Sequence, residues 1–188
     1  MNDDTAHATD RRFPAALAEV ARVDFAYGHD TTGEAAAAGD YRIDFEPYTE
    51  FTSREETVES FRSWTGGTDV DGDTYLPFGQ DGSGGQAMIW RARPGRPLAD
   101  QPIVFLGSEG ECGVVAGNLS DFLWVLADGF GPLEVTWEDE ELTSTPDEAL
   151  TRLAERHATT PRRTAREIVL ETRAEFPTFE EDIWALSR

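Results

Sequence analysis

The stretch YLPFGQDGSGGQAMIW, Tyr75 to Trp90, decides how the chain is read. Four glycines fall within the seven residues Gly79–Gly85, between two apolar segments. A phosphate-cradling loop, a metal loop and a tight connection between strands would all look like this at first sight. Gly82–Ala87, GSGGQA, satisfies the dinucleotide pattern G-x-G-x-x-A. That pattern works when a helix opens at its end and offers free amides to the phosphate. Here MIWRARPGRP follows, a strand that runs into prolines, and Asp81 repels an anion. The chain holds no lysine, so it holds no Gly-Lys-Ser/Thr phosphate loop.

The metal reading rests on DVDGDTYLPFGQ, which sets Asp69, Asp71 and Asp73 at alternate positions, as in a calcium-binding helix–loop–helix. That loop requires glycine at its sixth position and a bidentate glutamate at its twelfth, and here Thr74 and Gln80 stand there. An improvised cation site from Asp69, Asp71, Asp73 and Asp81 stays open beside the plainer reading, a solvated acidic turn.

Other chemistry finds little support. Ser83 sits in DGSGG, where Asp81 occupies the first glycine of a nucleophile elbow. Cys112 lies near Glu109 and Glu111, and neighbouring carboxylates raise a thiol pKa, the wrong direction for a nucleophile. His7, His29 and His157 share no metal-ligand spacing, and His157 falls on a helical stripe with Leu150, Leu153 and Ala154. The chain is rich in carboxylates, yet nothing singles out a pair for glycoside chemistry. No catalytic residue, cofactor or metal is expected.

The length of 188 residues suits one domain, and 39% hydrophobic residues suffice for a core. No apolar run approaches the roughly eighteen residues of a membrane span. The start, MNDDTAHATDRRFP, is polar and not secretory, and one cysteine excludes an internal disulfide. A cytoplasmic protein is expected. Its charge is extreme: 16 basic residues, all arginine, against 37 acidic ones, a net −21. Between Arg96 and Arg152 there are twelve acids and no base. Such a field repels nucleic acid and anionic lipid and speeds association with a cationic partner. A salt-adapted proteome would give the same composition.

The elements follow from periodicity and punctuation. Residues 1–12 form a disordered tail, and a short helix after Pro14 carries Ala16, Leu17, Val20 and Val23. HDTTGEAAAAGD is a loop, and YRIDFE alternates as a half-buried strand. SREETVESFRSWTGG is a helix with a capping box, Ser53 with Glu56, that turns Val58, Phe61 and Trp64 to the core and stops at Gly66 or Gly67. TYLPF, QAMIWRA, PIVFLG and CGVVAG follow as strands of an antiparallel meander. NLSDFLWVLADG is a buried helix capped by Asn118 or Ser120 and ended by Gly129. LEVTW is an edge strand. In the C-terminal third, Thr145 caps one helix, Thr160-Pro161 begins a second striped by Ala165, Ile168, Val169 and Thr172, and TFEEDIWALS makes a last one. The expected fold is α+β: a single domain over 13–188, an antiparallel sheet of mixed-length strands packed by helices, with a helical extension at 145–188.

Three pieces in order carry a resemblance. YLPFGQDGSGGQAMIW, then PIVFLGSEGECGVVAG, then NLSDFLWVLADG resemble the SUKH superfamily, which includes the yeast cell-wall assembly regulator and many bacterial immunity proteins. Leu76, Pro77, Phe78, Asp81, Gly82 and Gly84 match its first block, Ile103, Val104 and Phe105 its second, and Leu119, Phe122, Leu123 and Leu126 its third. The match covers about residues 53 to 129; the N-terminus and the C-terminal third lie outside it. It implies a non-catalytic α+β domain that binds and neutralises a toxin, frequently a nuclease. The glycines then let the chain reverse between two strands, with Asp81 tying the turn through its side chain.

A protein surface remains as the candidate site. Trp137 stands beside Glu138, Asp139, Glu140 and Glu141, an aromatic anchor next to steering charge. Trp137 packing inward with Leu133 and Val135 is the competing reading, and the acids are exposed under both. Asp69, Asp71 and Asp73 form a second candidate surface. The expected partner is a basic toxin domain, with no nucleic acid and no membrane. Alternatives are a regulatory scaffold binding a host protein, and a cation-binding module or enzyme using the Asp69–Asp81 carboxylates.

Overall fold

A computed structural model of the chain describes residues 11–25, 43–67, 70–137 and 143–186. The order among them is α1 (Ala15–Val20), β1 (Glu46–Pro47), α2 (Arg54–Thr65), β2 (Tyr75–Gln80), β3 (Gln86–Trp90), β4 (Ile103–Leu106), β5 (Cys112–Ala116), α3 (Leu119–Ala127), α4 (Glu148–His157), α5 (Ala165–Glu175) and α6 (Phe179–Ala185). Short 3-10 turns fall at Leu98–Asp100 and Glu134–Thr136. The strands form one antiparallel sheet in sequence order, β1-β2-β3-β4-β5. This is the meander that the short apolar segments call for, in a single α+β domain.

Both faces of the sheet are buried, which is why IVFL in β4 is apolar throughout. Side chains alternate across the pleat. Leu76, Phe78, Ile89, Ile103, Phe105 and Val115 meet Leu17 and Val20 of α1, Phe122 and Leu126 of α3, Leu150 of α4 and Ile168 of α5. Tyr75, Met88, Val104, Leu106 and Val114 point the other way, onto Phe61 of α2 and Phe179 and Ile183 of α6. Phe61 stacks on Tyr75 with ring centroids 4.6 Å apart, and Trp90 packs on Phe179 at 5.0 Å. The helices thus enclose the sheet as two outer layers.

The β2–β3 connection is a turn organised by one carboxylate. Asp81 is 3% exposed, and its Oδ1 accepts from the Ser83 N–H, the Ser83 hydroxyl and the Gly85 N–H, each at 2.8 Å. The backbone closes beneath it, with Asp81 N–H donating to Gly85 O at 2.9 Å. Gly84 has φ +92°, a conformation that costs a side-chain-bearing residue about 1–2 kcal/mol. Gly85 lies so close to the Phe105 ring that a β-carbon there would sit 2.5 Å from Cζ. Pro77 has no N–H for the ladder, and the β2–β3 register slips between Pro77 and Gly79 as a bulge.

Several elements depart from expectation, and tertiary contacts explain why. LEVTW is no edge strand: Glu134–Thr136 is a 3-10 turn, closed by the Thr136 hydroxyl on Leu133 O at 2.7 Å. The strand expected over YRIDFE does not form at Ile43–Phe45: β1 is Glu46–Pro47, and Tyr41 and Arg42 lie outside the described residues; Phe45 is still buried. The cap of α4 is Asp147, not Thr145, since its side chain accepts from the Leu150 N–H while its own N–H donates to Ala127 O. The second C-terminal helix starts at Ala165 with a Thr164–Glu167 capping box, not at Thr160. Thr160 is engaged elsewhere: its carbonyl accepts from the Trp124 indole and its hydroxyl donates to Asp121. In α2, Thr57 and Thr65 join Phe61 in the interior, and Val58 is only half-buried.

The tail expected over 1–12 and the loop at 29–40 lie outside the described residues, apart from Arg11 and Arg12. Arg11 belongs to the folded part: it donates to Thr52 O, Gly72 O and the Asp73 carboxylate. No helix among the described residues is long and apolar enough to cross a membrane.

Asp81→Ala removes the acceptor for three hydrogen bonds and should cost about 2–3 kcal/mol of unfolding free energy, read from urea denaturation. Asp81→Asn keeps one carbonyl acceptor and should cost less.

Candidate functional site

The 3-10 turn Glu134–Thr136 lies along β5, the last strand of the sheet. Thr136 Cγ2 and Glu180 Oε1 of α6 both fall within 4 Å of the point where a β-carbon on Gly113 would project. The turn and α6 therefore meet over the middle of that strand. From α5, the Arg173 guanidinium donates to Thr136 O at 3.0 Å and to Val135 O at 3.5 Å. Val135 turns inward at 8% exposure and Leu133 packs against the core. Trp137 leaves the turn on the other side and is 42% exposed. Helical rather than extended backbone explains this, because alternation would have put all three residues on one face.

A second large aromatic shares this region. Trp184 of α6 is 51% exposed and lies beside Cys112, the neighbour of Gly113. Sequence reading did not single it out, although the signal was present. Phe179 and Ile183, four apart, define the buried stripe of α6, and Trp184 stands one residue further round the helix. Glu180, Glu181 and Asp182 on the same helix are exposed. Glu138, Asp139, Glu140 and Glu141 follow Trp137 in the chain and lie outside the described residues.

Beneath Trp137 the turn holds a buried acid. Glu134 is 7% exposed, and its Oε1 accepts from the Asp44 N–H at 3.2 Å. Burial raises its pKa above the ordinary carboxylate range, and the Asp44 carboxylate adds to the shift; backbone N–H groups, Asp44's among them, oppose it.

The second candidate surface is engaged within the molecule. Asp73 pairs with Arg11 at 2.6 Å and with Arg54 at 3.4 Å, and Asp71 pairs with Arg54 at 3.0 Å. Asp71 Oδ1 also accepts from the Asp73 N–H, an Asx-type turn. Asp69 lies outside the described residues. Asp81 does not join them, since it is buried in the β2–β3 turn. Among the described residues no group of three or more His, Cys, Asp or Glu side chains is arranged to hold a metal ion.

Cys112 is buried and its thiol is pushed up to about 11. The cause differs from the one expected: burial leads, the Glu180 carboxylate adds to it, and Glu109 and Glu111 do not figure. His157 is half-buried with Nε2 2.9 Å from Glu19 Oε1. Hydrogen bonds from Arg156 and then from His157 hold the Glu19 carboxyl below its usual range.

Comparison of the chain with protein-family models, with curated proteins and with solved structures finds no match.

Two measurements check this geometry. Glu134 gains stability from protonation, since its folded-state pKa lies above its unfolded one. That contribution is present below the unfolded pKa of about 4.3 and is lost as pH rises through the raised value. Glu134→Gln should therefore stabilise the protein by about 1 kcal/mol at pH 8 and by less at pH 5, as read by thermal unfolding. For Cys112, iodoacetamide at neutral pH should label the native protein far more slowly than the urea-unfolded chain.

Proposed function

We propose that this chain is a non-catalytic binding protein that presents a negatively charged face to a basic protein partner. One observation carries the reading: Trp137 is 42% exposed at the head of the acidic run Glu138–Glu141. A large ring held out by a turn that is itself pinned offers buried area at little entropic cost, and the acids supply steering. Trp184 and the acids of α6 extend that face.

Asp71 and Asp73 give weaker support as a partner surface, because their charge is answered by Arg11 and Arg54. The same pairing disfavours a cation-binding module built on these residues. The LPF and DGSG segments and the helix after β5 resemble the SUKH superfamily in sequence, and on that resemblance the reading is a cytoplasmic immunity protein. Its partner is then a toxin domain, for which a nuclease is the best fit. A nuclease must be cationic to hold phosphates, and a chain of net charge −21 can occupy its groove as a phosphate mimic.

The immobilised chain should retain from a lysate of the producing organism a protein of net positive charge that elutes as salt rises. With that protein in hand, reversing Glu138–Glu141 to lysine should slow association by about tenfold or more and flatten its salt dependence. Trp137→Ala should act on dissociation and weaken binding by about 2 kcal/mol. An unchanged association rate and salt slope in the reversed variant rejects this face.

A further inference from the structure

A groove of about 600 Å3 lies between the N-terminal end of α1, the start of α3 and the loop that follows β3. That volume suits a small-molecule ligand. Its floor is apolar, with Leu119 and Leu123 buried. The Ser120 and Thr159 hydroxyls sit at its rim, 3.1 Å apart.

The loop wall is held rigidly although it has no strand partner. Gln101 is 2% exposed and devotes its whole amide to the loop. Its Oε1 accepts from the Arg93 N–H at 2.9 Å, and its Nε2 donates to Arg93 O at 2.6 Å and Arg96 O at 3.2 Å. Arg93 adds a second brace, bonding Asp100 O, Gly117 O and the Glu175 carboxylate. Arg93 is thereby committed. Arg96, on the same wall, is exposed and has no ion-pair partner among the described residues.

Of the groove's basic lining residues, Arg93 is paired with Glu175 and His157 lies against Glu19, so Arg96 is the lining cation without a carboxylate partner among the described residues. Elsewhere Arg11, Arg54, Arg156 and Arg163 each face a carboxylate. A buried glutamine that fixes a loop, an arginine left over, and an apolar floor of ligand size together make a preorganised receptor.

We propose that this groove binds a small amphiphilic anion, with a carboxylate or phosphate group at Arg96 and an apolar body on Leu119 and Leu123. Within the hydrogen-bonded Ser120–Thr159 hydroxyl pair one O–H donates to the other, which leaves one as a further donor to the head group. This site is separate from the Trp137 face and does not depend on it.

The test titrates the full chain with phenylbutyrate, with phenyl phosphate and with uncharged phenylbutanol, following indole N–H resonances by NMR. The Trp124 indole donates to Thr160 O at the groove rim and reports occupancy, whereas Trp137 and Trp184 do not line the groove. Saturable shifts of Trp124 are expected, with at least one anion binding about tenfold tighter than the alcohol. The tighter anion identifies the head group. Arg96→Ala should reduce the anion to the affinity of the alcohol. Ala99→Trp, which fills the groove from an exposed position, should abolish binding of all three. A Trp124 resonance unmoved by both anions overturns the proposal, as does anion binding that survives Arg96→Ala undiminished.

Discussion

The sheet depends on how Asp81 closes the β2–β3 reversal. One buried carboxylate oxygen gathers two backbone N–H groups and a hydroxyl within a five-residue turn. That places Gly85 against Phe105 and starts β3 in register with both of its neighbours. The pleat then divides the apolar residues of β2 to β5 between two cores, and each helix layer has a face to cover. Hydrogen bonds to a charged acceptor are stronger than those between neutral groups, so this turn is fixed more firmly than its three glycines suggest.

The second constraint is where the charge goes. Arginine is scarce relative to acid, and much of it is used to join elements. Arg11 and Arg54 hold Asp71 and Asp73 ahead of β2, Arg93 ties the loop after β3 to Glu175 of α5, and Arg163 reaches Asp121 of α3 and Glu171 of α5. Glu180, Glu181 and Asp182 of α6 are exposed and add to the field of a chain whose net charge is −21. Arg96, like Arg22 and Arg162, has no carboxylate partner among the described residues, and it lies beside the groove.

Much of the fold was legible in the chain because local rules and tertiary needs agree there. The Ser53–Glu56 capping box, the Asn118 cap, the four strand segments and the stripe Ala165, Ile168, Val169, Thr172 all stand where pattern puts them. Misreadings fall where long-range contacts decide. Leu133, Val135 and Trp137 alternate like a strand, but buried Glu134 reaches Asp44 and Arg173 takes the turn's carbonyls, so the segment coils. Thr145 and Thr160 look like better caps than Asp147 and Thr164 until the pull of Ala127, Trp124 and Asp121 is counted. For the candidate site, composition drew attention to Trp137 and could not say whether its ring faces in or out. Trp184 is legible only once Phe179 and Ile183 are read as the buried stripe of α6, which puts the next residue toward solvent.

Everything proposed for the Trp137 face turns on that ring standing in water until a partner covers it. Fluorotryptophan-labelled protein, with Trp137 assigned through Trp137→Phe, reports this directly by fluorine NMR. The expected result is a Trp137 resonance that shifts between light and heavy water in the free protein and loses that sensitivity when the captured basic partner is added. A Trp137 resonance indifferent to the solvent from the start, or unmoved by a partner that demonstrably binds, contradicts the account.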